Sequence, residues 1–113
     1  MEIKKGVYNV RGNFPAIDDG GNAVIVEFKK ESGYIFRGDN GLFFGVCKYR
    51  HYWAVSELFS GAWVYSGDYN GTRKDAVEKA MVLFDSKWDA AKAKIQSINT
   101  SANPDIIERY YFD

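Results

Sequence analysis

The feature that most constrains the fold of this chain is a change of hydrophobic period near Gly71. Before it, short segments rich in β-branched and aromatic residues are separated by glycine-containing turns, a pattern typical of strands. After it, apolar residues recur at steps of three and four, the spacing of one helix face. The length of 113 residues fits one domain. We predict a single α+β domain over 1–113, with an antiparallel sheet in 1–70, one long helix over 72–98 and a short helical tail over 104–113.

The front of the chain predicts an antiparallel meander of about five strands. A turn is expected at 31–33, and Asp39-Asn40-Gly41 is a strong hairpin signal because Asn and Gly tolerate the positive φ values of primed turns. A last hairpin is expected across 60–62. The segments predicted as strands are 7–11, 23–30, 34–37, 42–47, 53–57 and 63–66.

The back of the chain carries one apolar stripe. Thr72 is placed to cap the helix, with Asp75 near the capping-box position. Asn103 and Pro104 are expected to cap the short helical turn of the tail. The members of the stripe are Val77, Met81, Phe84, Trp88, Ala91, Ile95 and Ile98.

The length of this predicted helix raises a geometric problem. A helix over 73–98 would be about 39 Å long at 1.5 Å per residue, whereas a domain of this size is roughly 34 Å across. The helix must therefore lie across the whole sheet, kink, or project its last turns. We expect the stripe to be core; the alternative is a homodimer formed through the helix end. The residues of that self-association surface would be Trp88, Ala91, Ile95 and Ile98.

Charge and cysteine usage exclude several classes of protein. Fifteen Lys and Arg balance fifteen Asp and Glu, which argues against an acidic mimic of nucleic acid and against a generally basic nucleic-acid binder. The one cysteine, Cys47, is expected to be a small buried residue. No catalytic fingerprint, zinc-ligand spacing or export signal is recognisable, so we expect no enzyme activity, metal or cofactor and a soluble, cytoplasmic protein without a membrane anchor.

The segment 48–53 interleaves cationic and titratable residues with aromatic ones. Rings that stack on bases and cations that pair with phosphates are what a contact with single-stranded nucleic acid needs. The same pattern fits one continuous strand, in which Tyr49, His51 and Trp53 point to one side and the intervening residues to the other. The nucleic-acid alternative would use Arg37, Lys48, Arg50, Tyr52 and Trp53.

The eight tyrosines and three tryptophans exceed what a small core buries comfortably, because each has a polar tip that needs water or a partner. Such rings are enriched at protein interfaces. We therefore predict a protein-binding face on the hairpins and the tail. Its candidate residues are Tyr34, Tyr52, Trp63, Tyr65, Tyr69, Tyr110 and Tyr111.

One stretch resembles a known group of proteins. Residues 53–57, Ser60-Gly61, Val64, Gly67 and then 72–76 are similar to a hairpin-into-helix pattern found in small uncharacterised proteins of phages and mobile elements. Inhibitors of host defence such as anti-CRISPR proteins occur among them. The resemblance implies a non-enzymatic protein that binds a host protein, and it carries no site residues with it.

Overall fold

The protein is described by a computed structural model that covers residues 2–11, 28–39, 41–96 and 101–106. Within these ranges five antiparallel strands form one sheet in chain order, and two helices follow. The predicted α+β class and the antiparallel meander are confirmed. The strands are β1 (Ile3–Arg11), β2 (Phe28–Arg37), β3 (Phe43–Tyr49), β4 (Tyr52–Glu57) and β5 (Trp63–Ser66), and the helices are α1 (Arg73–Ser86) and α2 (Trp88–Gln96).

Two predicted hairpins form where glycine allows the chain to reverse. Between β2 and β3 the Gly38 and Gly41 amides donate to the Leu42 and Gly38 carbonyls over 2.8 and 2.9 Å, and Gly41 has a φ of 85°. Asn40 lies outside the described residues. Between β4 and β5, Gly61 has a φ of 72°. Both positions need the left-handed backbone that only glycine adopts at little cost.

The prediction of a turn at 31–33 is wrong. These residues lie within β2, where Glu31, Ser32 and Gly33 pair with Tyr8, Val7 and Gly6 of β1. Gly33 serves a close approach instead of a turn, because a Cβ there would overlap the Val46 carbonyl oxygen of the neighbouring strand. Pairing with a distant strand therefore outweighs the local turn signal. Residues 23–27 of the predicted second strand lie outside the described residues.

The interpretation of 48–53 as one alternating strand is also wrong. β3 ends at Tyr49 and β4 begins at Tyr52, with Arg50 and His51 forming the turn between them. The pairing sets Lys48 opposite Trp53 and Tyr49 opposite Tyr52. Since directly opposite residues point to the same face of a sheet, Tyr49 and Tyr52 share one face. Arg50, with a φ of 57°, supplies the reversal without glycine, which hid the turn from sequence analysis.

The prediction of a single long helix over 72–98 is wrong in one respect, because the helix breaks at Lys87. The Ser86 hydroxyl donates to the Leu83 carbonyl over 2.7 Å, and the Lys87 amide donates to the Phe84 carbonyl over 3.1 Å, three residues back. The Trp88 ring, directly after the break, lies 5.8 Å from the Phe84 ring. The N-terminal cap is confirmed, since the Asp75 amide donates to the Thr72 hydroxyl over 3.1 Å.

The helices cover one face of the sheet, which we call the helix face. Phe36, Phe44, Val46 and Val55 project from the strands into this core. The apolar stripe is confirmed as core, with Ile98 outside the described residues. Its buried members are Val77, Phe84 and Ile95, and its partly buried members are Met81, Trp88 and Ala91.

The opposite face, which we call the concave face, holds a smaller core around Tyr8, Cys47 and Leu58. The sheet curls around it, because the Arg11 amide at the end of β1 donates to the Gly61 carbonyl of the β4–β5 loop over 2.8 Å. The Tyr8 ring reaches across to β3 and occupies the space where a Cβ of Gly45 would stand. The concave face is thereby filled at one end by an aromatic ring.

The segment 101–106 joins β1 to the β4–β5 loop. The Asn103 side chain accepts from the Asn9 amide over 2.6 Å and donates to the carbonyls of Asn9 and Leu58 over 2.9 and 2.7 Å. The expectation that Asn103 caps a local helical turn is therefore wrong, since its side chain is used for contacts that are distant in sequence. Residues 104–106 form a turn, and 107–113 of the predicted tail lie outside the described residues.

Candidate binding surface

Four aromatic side chains gather at the tip of the β3–β4 hairpin. Tyr49 and Tyr52 are the last and first residues of the two strands, His51 is in the turn, and Tyr69 comes from the loop before α1. Tyr49 and Tyr69 are 54% and 61% exposed, which is unusual for side chains of this size. We call Tyr49, His51, Tyr52 and Tyr69 the aromatic hairpin surface.

Contacts among these rings hold the surface together. The Tyr69 ring lies 4.8 Å from the His51 ring and meets the Tyr52 ring edge to face at 5.8 Å. The Asn70 amide donates to the His51 carbonyl over 2.8 Å, which ties the loop to the hairpin tip. The rings of His51, Tyr52 and Tyr69 are therefore in mutual contact without a partner.

Backbone strain is concentrated at the same place. Among the described residues, the non-glycine positions with positive φ are Arg50 and Asn70, at 57° and 55°. This conformation costs Arg50 roughly 1 kcal/mol, whereas asparagine adopts it at a lower cost. Both residues flank the ring cluster, Arg50 directly before His51 and Asn70 directly after Tyr69. Strain of this kind persists where surrounding contacts over-determine the backbone, and it is common at functional sites.

A groove of about 230 Å³ runs along the concave face next to this surface. Its floor is made of small residues, because Cys47 lies opposite Ala54, and Ser56 and Gly61 continue the row. We call it the sheet groove. The residues that line it are Val10, Arg11, Lys29, Glu31, Cys47, Tyr49, Ala54, Ser56, Gly61 and Trp63.

Trp63 forms one wall of the sheet groove, and Tyr49 closes its end. Trp63 lies opposite Ser56 in the strand pairing, so it projects from the concave face. The indole is 62% exposed, yet its N–H donates to the Tyr65 carbonyl over 2.7 Å. This bond orients the ring. Because Tyr49 belongs to both features, the sheet groove and the aromatic hairpin surface are continuous.

The charges along the groove are unevenly distributed. Lys29 and Glu31 form an ion pair of 3.4 Å on the β2 wall. Arg11 makes no ion pair with any other residue that the structure describes. The Arg50 guanidinium lies 5.4 Å from the centre of the Tyr49 ring, within the range of a cation–π contact. Among the residues that the structure describes, the groove and its rim therefore carry more cations than carboxylates.

The predicted interface residues are divided by the fold. Tyr52, Trp63 and Tyr69 lie on or next to the concave face, whereas Tyr34 and Tyr65 are partly buried against the helix-face core. Tyr110 and Tyr111 lie outside the described residues. Sequence analysis missed Tyr49, because the segment was interpreted as a continuous strand with that side chain turned inward.

The fold brings four of the five residues proposed for nucleic acid to the β3–β4 hairpin tip and places Arg37 apart from them. Arg37 donates to the Gly41 carbonyl over 2.9 Å at the opposite end of β3 from Lys48. Lys48 and Trp53 share the helix face, and the Lys48 ammonium lies 6.0 Å from the Trp53 ring. Tyr52 is on the concave face and Arg50 is in the turn. The set is therefore split between two faces and two ends of the sheet.

The described residues among those proposed for self-association all contact the helix-face core. Ile95 is buried, and Trp88 and Ala91 pack against the helix-face core. Ile98 lies outside the described residues. A homodimer through this surface stays an untested alternative.

Cys47 is buried, as predicted. Burial raises the pKa of its thiol, so the reactive thiolate is disfavoured at neutral pH. Among the residues that the structure describes, no three His, Cys, Asp or Glu side chains are grouped closely enough to hold a metal ion. None of the helices in that part of the chain has the length and apolarity needed to cross a membrane.

No family model, curated protein or solved structure matches this chain. Its function must therefore be inferred from the surfaces described above.

Proposed function

We propose that this protein is a non-enzymatic module that binds another protein through the aromatic hairpin surface. The observation that carries the proposal is the exposed, mutually contacting ring cluster of Tyr52, Tyr69 and His51 at the hairpin tip. Tyrosine is favoured at interface anchors because it offers a large apolar area at a small cost in side-chain entropy. The ring contacts lower that cost further.

A protein partner fits the charges better than a nucleic acid does. The formal net charge is zero, so the chain as a whole has no general electrostatic attraction for a phosphate backbone. On the helix face the Arg73 guanidinium lies 4.0 Å from the centre of the Tyr34 ring and already covers a surface on which a base could stack.

The non-catalytic part of the proposal rests on the surroundings of His51. His51 is the single histidine of the chain, and its ring contacts the Tyr69 ring in a tilted arrangement at an exposed hairpin tip. A general base needs an orienting partner and a substrate pocket. An exposed imidazole in contact with a phenol ring suits an interface contact better than proton transfer.

Affinity capture with variants of the hairpin tests the proposal. The immobilised protein is compared with a Tyr52→Ala/Tyr69→Ala double variant and with Val82→Ser, which removes an exposed apolar side chain from α1. We expect a partner that the wild type and Val82→Ser retain equally and that the double variant binds at least about thirtyfold more weakly, as loss of an anchor worth about 2 kcal/mol implies. Equal retention by all three proteins would contradict the proposal.

The resemblance to phage proteins makes a host-defence protein the expected partner, and identification of the captured protein tests that expectation. The nucleic-acid alternative is tested by fluorescence anisotropy with a labelled single-stranded oligonucleotide. Phosphate contacts are strongest at low ionic strength, so tight binding there that weakens steeply with added salt would favour the alternative. Absence of binding at low salt would exclude it.

A further inference from the structure

We infer that the sheet groove receives an extended acidic segment of a protein partner, with one aromatic side chain in the groove and a neighbouring carboxylate on the wall formed by Arg11 and Lys29. The inference rests on the proposed function and specifies the chemistry of the partner. It is carried by the shape of the groove floor, by its volume and by the charge of its wall.

The floor of the groove leaves space for an aromatic ring. On the concave face Gly45 lies opposite Ser56, and the next pair along the strands is Cys47 opposite Ala54. The Tyr8 ring lies directly over Gly45. Cys47 and Ala54 have small side chains, and the groove lies over them. A partner's ring could therefore lie over Cys47 and Ala54, much as the Tyr8 ring lies over Gly45.

The volume fits one aromatic side chain. A cavity of about 150 Å³ is large enough to bind benzene, and the sheet groove measures about 230 Å³. Tyr49 and Trp63 border the space and can meet an inserted ring edge to face, the arrangement that aromatic pairs favour. The remaining volume accommodates the adjoining peptide backbone.

The charge of the groove wall determines which partner residues are favoured next to the inserted aromatic side chain. Of the lining residues in the described part of the chain, Arg11 and Lys29 are cations and Glu31 is a carboxylate. Glu31 lies 3.4 Å from Lys29 and offsets its charge, which leaves the charge of Arg11 for a partner. Arg50 at the rim adds a further cation. One or two carboxylates complement this wall, whereas a basic segment would be repelled.

Selection from a library of random peptides tests the inference, because the selected sequences themselves report the chemistry that the groove prefers. The library is panned separately on the wild type, on Arg11→Glu and on Lys74→Glu, a matched charge reversal on the exposed side of α1. We expect the wild type and Lys74→Glu to enrich peptides in which an aromatic residue stands beside Asp or Glu. Arg11→Glu is expected to lose that acidic preference and to bind the best wild-type peptide about tenfold or more weakly.

The position of the peptide is then mapped by NMR. Binding in the groove shifts the amide signals of Ala54 and Ser56 and the indole signal of Trp63. Replacing the peptide's aromatic residue by alanine is expected to weaken binding about tenfold, since a buried ring is lost. The inference is overturned if no peptide is enriched, if the acidic preference survives in Arg11→Glu, or if a short single-stranded oligonucleotide displaces the peptide at physiological salt.

The two proposals fail separately. If selected peptides shift only the signals of His51, Tyr52 and Tyr69, the groove inference is wrong and the hairpin surface remains a protein-binding site. If the peptide binds in the groove while the Tyr52→Ala/Tyr69→Ala variant retains the captured partner in full, the groove inference holds and the hairpin proposal is wrong.

Discussion

Tyr8 is the residue around which the concave face is built. Its ring is 2% exposed and fills the space above Gly45, while its hydroxyl has no hydrogen-bond partner among the residues that the structure describes. Burial raises the pKa of the phenol well above its usual value, and the nearby Cys47 thiol adds to the effect. A buried hydroxyl without a good acceptor costs stability, whereas the ring that carries it contributes stability.

Tyr8→Phe keeps the ring and removes the hydroxyl. We expect the free energy of unfolding at pH 7 to stay within about 1 kcal/mol of the wild type or to rise, because no good hydrogen bond is lost. Urea denaturation followed by circular dichroism measures the change. A loss of more than about 2 kcal/mol would show that the hydroxyl has a strong partner.

The same substitution has a pH signature. The folded protein holds the Tyr8 proton more tightly than the unfolded chain, whose tyrosines titrate at about 10. The contribution to stability is therefore fully present below pH ~10 and is lost as the pH rises further, by up to about 1.4 kcal/mol per pH unit. Tyr8→Phe removes this dependence. The buried Cys47 thiol, whose pKa is also raised, produces a similar loss from about pH 8.5, which Cys47→Ala isolates.

Asn103 connects three parts of the chain with one side chain, through the bonds to Asn9 and Leu58. Asn103→Ala leaves an amide and a buried carbonyl without their partner, so we expect a loss of about 2–4 kcal/mol in the free energy of unfolding. Asp105→Ala, at an exposed position two residues away, is the control and should change stability by less than about 0.5 kcal/mol. Equal effects of the two substitutions would show that Asn103 stabilises the fold no more than its neighbour.

At the scale of elements, the hairpins show which signals are local. The turns at Gly41 and Gly61 were predictable because the left-handed backbone requires glycine there. The turn at Arg50 and His51 was hidden because neither residue is typical of a reversal. The apolar stripe predicted the buried side of the helix, but the break at Lys87 falls where the sequence has neither glycine nor proline to mark it.

The packing of β1 over β3 can be tested at Gly45. Gly45→Ala places a methyl group where the Tyr8 ring lies, so we expect a loss of about 1–3 kcal/mol from overpacking. In a Tyr8→Ala background the same substitution should cost much less, because the obstructing ring is gone. A double-mutant cycle measures this coupling, and additive effects would contradict the predicted contact between the two strands.

At the scale of the whole molecule, the two faces of the curled sheet differ in what covers them. The helix face is covered by α1 and α2, and the concave face presents the sheet groove and the aromatic hairpin surface. The helix face also includes three of the residues proposed for self-association. Ile95 is buried there, and Trp88 and Ala91 pack against the protein's own core.

Sedimentation equilibrium tests the oligomeric state. Because those side chains pack against the core, we expect a single species of 12.8 kDa at concentrations up to the millimolar range. Trp88→Ala serves as a control, since a residue with only a core role changes stability and leaves the mass unchanged. A species of twice the monomer mass that Trp88→Ala dissociates would establish the homodimer.

The sequence alone determined the features that depend on neighbouring residues. The change of period near Gly71 predicted a sheet followed by helical structure, the glycine turns predicted two hairpins, and Thr72 predicted the start of α1. Of the residues that the aromatic excess suggested for a binding face, Tyr52, Trp63 and Tyr69 are exposed, whereas Tyr34 and Tyr65 are partly buried. Each of these follows from short-range periodicity, backbone conformational preference or composition.

Only the tertiary structure decided what depends on distant residues. Pairing with β1 turned the predicted turn at 31–33 into strand, and the contact of Arg11 with Gly61 curled the sheet. The hairpin at Arg50 and His51 brought Tyr49 and Tyr52 to one face, and Tyr69 joined them from a loop. The candidate site could not be predicted from sequence because its rings and charges come from several strands and a loop, and register and curvature, which no local pattern encodes, bring them together.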